Sequence, residues 1–280
     1  MKNLNEFHAN KLKTMLVDGD LLAYKITSAL EETIQWEDDV WTLHCDLDKC
    51  KQFWKQSIAY YMKHTNSANA VIVFSDVSNF RKELDLEYKS FRKAIRKPIT
   101  YKPLRYWIEK THRTLSYPFL EGDDTLGLLA TGKYKDNCVV VSGDKDMRTI
   151  PTWHCFIIDD SFEFVDSHKA DYNFCTQVLT GDKSDGYIGC KGVGSVKASR
   201  ILDGKKKLPE MWEAVLQEYT RNGYSVDDAY HQSRLARILR EGEYDYKKQE
   251  PKLWSYKYEH YRNFTAVSYT HLTLPTICSV

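Results

Sequence analysis

Four short apolar runs constrain this chain more than any other feature of it: Thr14-Met-Leu-Val17, Ala70-Val-Ile-Val-Phe74, Cys138-Val-Val-Val141 and Phe156-Ile-Ile158. Uninterrupted runs this short, rich in β-branched residues, read as strands buried on both faces. That implies a parallel sheet covered by helices. Helix-compatible stretches lie between them, at residues 21–26, 46–64 and 123–130. Alternating strand and helix gives an open α/β sheet, and such sheets place their sites outside the carboxyl ends of the strands. Three of the four runs end in an acid at that edge. After Asp171 the pattern turns helical, with a glycine-punctuated turn at residues 189–194 and helices expected over 210–220 and 230–240. There is no internal repeat and no low-complexity linker, so the second part is expected to pack against the first.

The acids at that edge form a set. Asp18 follows the first run and Asp76 the second. Glu121, Asp123 and Asp124 open a helix, Asp144 and Asp146 follow the third run, and Asp182 and Asp185 follow a short helix. Acids at helix N-termini also cap orphan N–H groups, which alone would account for Asp123 or Asp124. The whole set is harder to explain that way. Like charges gathered at one place raise one another's pKa unless a cation neutralises them. Hard oxygen donors suit Mg²⁺, with Mn²⁺ as a substitute, better than zinc. Two such ions, about 3.5–4 Å apart, are the usual means of hydrolysing a phosphodiester, one acidifying a water and the other stabilising the leaving oxygen. No Ser/His/Asp or Cys/His arrangement and no GxxxxGK[ST] loop competes with this reading.

Charge distribution supplies the substrate class. The formal net charge is only +1, yet residues 89–113 hold nine basic residues against Glu109 alone. Tyr88, Phe91, Tyr101, Tyr106 and Trp107 are interleaved with them. Cations for phosphates and rings for bases describe nucleic-acid binding. Lys89, Arg92, Lys93, Arg96 and Lys97 recur at helical spacing, so one helix is expected to present them together. The seven cysteines lack a repeated CxxC, and the closeness of His44, Cys45 and Cys50 does not make a zinc site. Scattered thiols without an apolar leader fit a reducing cytosol, and no run is long enough to cross a bilayer. Residues 267–280 carry no Lys, Arg, Asp or Glu. They read as the translation of a sequencing adapter and are set aside.

The turn Ile188-Gly-Cys-Lys-Gly192-Val-Gly194 precedes an apolar helix and follows Asp182 and Asp185 closely. Glycines there let backbone groups approach a phosphate or ion. With this turn, the motifs Val17-Asp-Gly-Asp20, Phe74-Ser-Asp76, Arg81-Lys-Glu, Glu87-Tyr-Lys-Ser-Phe-Arg92, Leu120-Glu-Gly-Asp-Asp124, Ser142-Gly-Asp-Lys-Asp146 and Thr180-Gly-Asp-Lys-Ser-Asp-Gly186 stand in order. In this the chain resembles the 5′ nucleases related to flap endonucleases and to the 5′-nuclease domain of DNA polymerase I. It is most similar to the replicative 5′→3′ exonucleases of short-tailed bacteriophages.

The resemblance implies an α/β, PIN-like nuclease domain over residues 1–170 with a basic helical arch at about 80–113. A helix–three-turn–helix module and further helices are implied over 171–266. It implies that Asp18, Asp76, Glu121, Asp123, Asp124, Asp144, Asp146, Asp182 and Asp185 bind two Mg²⁺ ions, and that Lys89 and Arg92 contact the scissile phosphate. Arg81, Tyr88, Lys93, Arg96, Lys97, Gly192, Gly194 and Lys197 are the expected DNA contacts, with K⁺ at the glycine turn. The implied partners are duplex DNA with 5′ ends, RNA primers on DNA and phage replication proteins in the host cytoplasm; no membrane is involved. Two departures stand out. The lysine usually two places after the turn is three places after it here, at Lys197, and Gly143 stands where cellular members carry another residue. Competing readings are a flap endonuclease, a PIN-type ribonuclease and a DNA-binding protein without activity.

Overall fold

The computed structural model describes Asn5, Phe7 and residues 13–256. The apolar tail at 267–280 lies outside the described residues. The central sheet is built from β1 (Thr14–Asp18), β4 (Asn69–Val73), β5 (Thr114–Leu115), β6 (Cys138–Ser142), β7 (Trp153–Phe156) and β8 (Ser161–Phe164), in the order β5-β4-β1-β6-β7-β8. All neighbours are parallel except β7 and β8. A separate two-stranded ribbon, β2 (Glu32–Gln35) with β3 (Trp41–His44), stands off the sheet.

Every residue of β1 and β6 is buried, as their uninterrupted apolar character requires. Side chains alternate between faces, so one strand feeds two cores. Met15, Val17 and Ile72 pack with Trp54 of α2 (Leu47–His64) and Leu104 of α4 (Tyr101–Thr111) on one face. Leu16, Val71 and Val140 pack with Leu126 and Leu129 of α5 (Gly122–Thr131) on the other. Helix α1 (Gly19–Leu30) approaches the sheet closely at its first residue. A Cβ on Gly19 would lie 2.7 Å from Ile72 Cγ2 and 2.8 Å from the Val73 carbonyl oxygen.

The helical part comprises α6 (Ser167–Thr180), α7 (Ser195–Leu202), α8 (Leu208–Arg221) and α9 (Val226–Ala236) around Phe174, Val178, Trp212, Val215 and Tyr219. Tyr88, from the loop after the short helix α3 (Phe80–Leu84), belongs to this same core. Among the described residues, no helix is long and apolar enough to cross a membrane.

Three expectations shift. The fourth strand is Trp153–Phe156, so the Phe156-Ile-Ile158 run straddles its end. Ile158 is 79% exposed, and the chain turns back through Asp160 (φ +56°) into antiparallel β8. The last long helix begins at Val226 and ends at Ala236, four residues earlier at each end than expected. A reciprocal Ser225–Asp228 cap starts it, and Arg237, which extends to pair with Glu243, closes it. The basic residues 89–97 do not share an α-helix. Lys89 has left-handed backbone (φ 52°), Ser90–Ala94 forms one 3₁₀ turn, and the chain is extended at Ile95. Proline at 98 then delays the next helix, α4, to Tyr101.

Candidate active site

The carboxyl ends of β4, β1 and β6 open onto a cavity of about 380 Å³ whose lining includes Asp18, Asp20, Glu121, Asp123 and Asp144, together with Lys89, Arg92 and Lys97. Asp18 ends β1 and caps α1. Its Oδ1 accepts from the Leu21 amide at 3.0 Å and its Oδ2 from the Ser142 hydroxyl at 2.8 Å. Burial, reinforced by the charges of Asp20 and Asp144, pushes its carboxyl up to about 6. Asp123, in the first turn of α5, is raised well above the carboxylate range by burial and by Asp144 and Asp18. Asp144 follows β6 and accepts from the Asp146 amide at 2.8 Å.

A neighbouring recess carries a second group. Asp146 and Asp182 line it with Lys145 and Gln177. Burial and the charge of Asp144 push Asp146 up to about 7. Asp182 is buried yet held below its ordinary value by hydrogen bonds from Ser184, and Lys145 lies 3.2 Å from it. Glu121 and Asp185 join the two groups through Lys89, whose Nζ lies 2.8 Å from Glu121 and 3.3 Å from Asp185. Against its burial, the charges of Lys89 and Arg81 hold Glu121 down at about 2. Arg92 pairs with Asp185 at 2.8 Å.

Among the described residues, no three His, Cys, Asp or Glu side chains already form a ligating group. The donor chemistry nevertheless fits hard divalent cations. The acids facing the cavity offer only carboxylate oxygens, and Asp18, Asp123 and Asp146 are raised first by burial and then by their acidic neighbours, a load that a bound cation would relieve.

This has a consequence for stability. Asp18 and Asp146 sit above the ordinary 3.8, so the folded chain binds more protons than the unfolded chain in that interval. Their ionisation destabilises the metal-free fold. We expect its Tm to fall as pH rises from about 4 to about 7, with Asp146→Asn flattening the slope. Glu121 has the opposite sign, but its contribution is complete above its ordinary value of 4.5. Buried His154, lowered by desolvation to about 4, also opposes the trend, and its shift is smaller than those of Asp18 and Asp146 together. Thermal melts in chelator across this interval check the sign, and a Tm climbing through it would contradict the assignment.

Several sequence-selected residues lie elsewhere. Asp124 is fully buried and accepts from both terminal guanidinium nitrogens of Arg81, at 2.6 and 2.7 Å, as well as from the Leu239 amide. Asp124 therefore holds α5 to the segment after α9 and does not face the cavity. Arg81 is 2% exposed, and it also donates to the carbonyls of Leu235 and Arg237. Tyr88 is 3% exposed, its hydroxyl on Glu121 and Asp185. Burial removes both from any DNA-contacting surface. Asp76 accepts from Ser78 and the Phe119 amide, just outside the cavity lining.

Arg96 pairs with Glu31, and Lys97 stands 4.4 Å from the Tyr101 ring centroid. Only the backbone of Lys93 is described. In the glycine turn, Gly192 takes φ +79°, and a Cβ on it or on Gly194 would meet open space. This backbone is thus accessible beside the N-terminus of α7. Lys197, on α7, is paired with Glu218 at 2.6 Å. The residue that sequence reasoning passed over is Asp20. It lines the cavity beside Asp18, and its place two residues after Asp18 in the same motif was the available signal.

Residues 13–181 match the family model described as 5′-3′ exonuclease, N-terminal resolvase-like domain. An exonuclease of Escherichia phage T7 is 30% identical, over 86% of this chain and 92% of the relative. An exodeoxyribonuclease of Enterobacteria phage T3 is likewise 30% identical with the same coverage. Among solved structures, the bacteriophage T5 D15 flap endonuclease, a pseudo-enzyme-product complex with DNA and metal ions, aligns with a TM-score of 0.62 at 16% identity. That alignment spans 80% of this chain and 89% of the other. The catalytic core of Rad2 with DNA substrate aligns at 0.51 and 14%, over 89% and 85%. At these identities the structural likeness speaks for the fold.

Proposed function

This chain belongs to the 5′-3′ exonuclease family, and from that premise we propose that it removes nucleotides from the 5′ ends of duplex DNA, and RNA primers paired to DNA, using two Mg²⁺ ions. One observation carries the reading: acids from β1, α5 and the end of β6 line one cavity together with Lys89 and Arg92. Asp18, Asp123 and Asp144 would hold one ion; Asp146, Asp182 and Asp185 would hold the other, with Glu121 between. Asp76 would join them by rotating from Ser78. Bound divalent cations, Mn²⁺ serving in place of Mg²⁺, would supply charge neutralisation and an acidified water. The metal-bound T5 relative has the same fold, which supports this assignment.

The protein's own part is to place the phosphate. Lys89 and Arg92 are paired with Glu121 and Asp185, and exchanging a carboxylate oxygen for a phosphate oxygen keeps each cation paired. The open glycine turn, with K⁺ held by its carbonyls, would grip the duplex backbone away from the cut. In this division the strand-rich part to about residue 170, joined by Asp182 and Asp185, does the chemistry, and the rest of the second part, proposed over 171–266, holds the duplex. Work alongside phage replication proteins is the matching role.

The test uses 5′- and 3′-labelled duplexes, with nicked, flapped and RNA-primed substrates beside them. We expect the 5′ label to leave first as 5′-phosphorylated mononucleotides or short oligonucleotides. First loss of the 3′ label from a blunt duplex would contradict the proposal, and cleavage confined to flap junctions would make the chain an endonuclease. The basic residues should divide by role. Lys89→Ala is expected to lower the single-turnover rate about 100-fold with little change in affinity, because it stabilises charge that grows in the transition state. Lys97→Ala should weaken binding and reduce its salt slope by about one unit while sparing the rate. If both variants lose only affinity, the role given to Lys89 is wrong.

A further inference from the structure

The first turn of α1 carries a carboxylate that the metal reading leaves unused. Asp20 Oδ2 accepts from the Ser75 amide at 2.6 Å, and its Oδ1 accepts from the Tyr101 hydroxyl. Arg105 stands 3.5 Å from Oδ1 and donates to the Ser75 carbonyl at 3.0 Å. Ser75 passes the connection on, because its hydroxyl accepts from the Gly122 amide at 2.9 Å. Gly122 lies between Glu121 and Asp123 at the start of α5. Tyr101 is 3% exposed and begins α4, where the basic segment that started at Lys89 re-enters the fold. One carboxylate is therefore tied to the loop after β4, to the start of the acid-bearing helix and to the downstream foot of the basic segment.

We infer that Asp20 is a positioning residue that sets the basic segment and the first turn of α5 in register with each other across the cavity. Both its oxygens are engaged by fixed protein donors, so its charge serves the scaffold. Asp20 and Ser75 thus link Tyr101 by hydrogen bonds to Gly122, the residue before Asp123. Displacing reacting groups by about 1 Å costs on the order of 100-fold in rate, so this tether should show in the chemical step. The inference rests on the nuclease reading for its kinetic consequences and on geometry alone for the tether.

The experiment combines a double-mutant cycle with amide exchange on the full chain. Asp20→Ala is expected to lower the single-turnover rate about 100-fold and Tyr101→Phe about tenfold, with DNA affinity within about threefold of native. The double variant should be no slower than Asp20→Ala, since Tyr101 acts through Asp20. In the metal-free protein, Asp20→Ala should speed exchange of both the Ser75 and Gly122 amides by about tenfold and leave β6 unaffected. If Asp20→Ala fails to fold, Asp20→Asn serves instead. It keeps one acceptor for Ser75, loses the charge that Tyr101 meets, and should behave like Tyr101→Phe.

A native-like Tyr101→Phe, additive rates, or unchanged exchange at Gly122 would overturn the inference, as would a native-like Asp20→Asn. A native chain that cleaves no DNA while the exchange effects persist would sink the nuclease reading and leave the tether standing.

Discussion

Asp123→Asn and Asp144→Asn are each expected to lower hydrolysis of duplex DNA by about three orders of magnitude, and chelation should silence the native chain as completely. Asparagine keeps the shape and a carbonyl acceptor but removes the charge that a divalent ion needs. Loss of charge also has a second, opposite effect. Asp123 is already raised by burial and by its acidic neighbours, so in metal-free protein its ionisation is a burden on the fold. Asp123→Asn should therefore melt higher than the native chain in chelator while cleaving far less with Mg²⁺. The pair of readings separates a functional carboxylate from one that merely supports the structure, which would lose both together. Near-native cleavage by both variants would end the two-metal reading.

Arg81→Ala is expected to destabilise the fold by about 3–5 kcal/mol, the usual result of stripping one partner from a buried pair. Asp124, which Arg81 holds through two contacts, is fully buried and would be left with only backbone amides as hydrogen-bond partners. The same guanidinium ties α3 and α5 to the carbonyls of Leu235 and Arg237 at the end of α9. Its loss loosens the helical part from the sheet as well. Lysine cannot replace it, since an ammonium lacks the planar fork that meets two carboxylate oxygens. Urea unfolding of the metal-free protein measures the cost, and a loss below about 1 kcal/mol would show that Asp124 finds another partner or a proton.

These two residues also show where reading the chain reaches its limit. β1 and β6 were legible because strands buried along their whole length are apolar at nearly every position, and β4 because its last three residues, Val71 to Val73, are both. Their acids were legible for the same reason, since the run stops where the site begins. Arg81 was misread because its environment is made over long range. Its partners lie 43 residues away at Asp124 and 154 away at Leu235, and in sequence it is simply a cation ahead of a basic stretch. Tyr88 misled likewise, its ring belonging to the helical core.

The expected basic helix failed because periodicity counts side chains and ignores backbone. Lys89 N–H bonds the Asp185 carbonyl with φ at 52°, which no continuous helix allows. The fourth strand was displaced because an apolar run marks burial, and Ile157 is buried in the turn just past the strand's end. Asp20 went unread because Asp18 two residues away accounted for the motif.

The close seat of Gly19 on the sheet changes how variation in the Val17-Asp-Gly-Asp20 motif would present itself genetically. A side chain there meets the Val73 carbonyl oxygen, which belongs to a paired strand and has nowhere to go. The added carbon would lever α1 off β4 and carry Asp18 and Asp20 with it. In a screen scored by nuclease activity, such an allele would be indistinguishable from loss of either carboxylate. A lineage drifting under selection for DNA turnover would hold this glycine as tightly as the acids beside it, although it touches neither metal nor substrate.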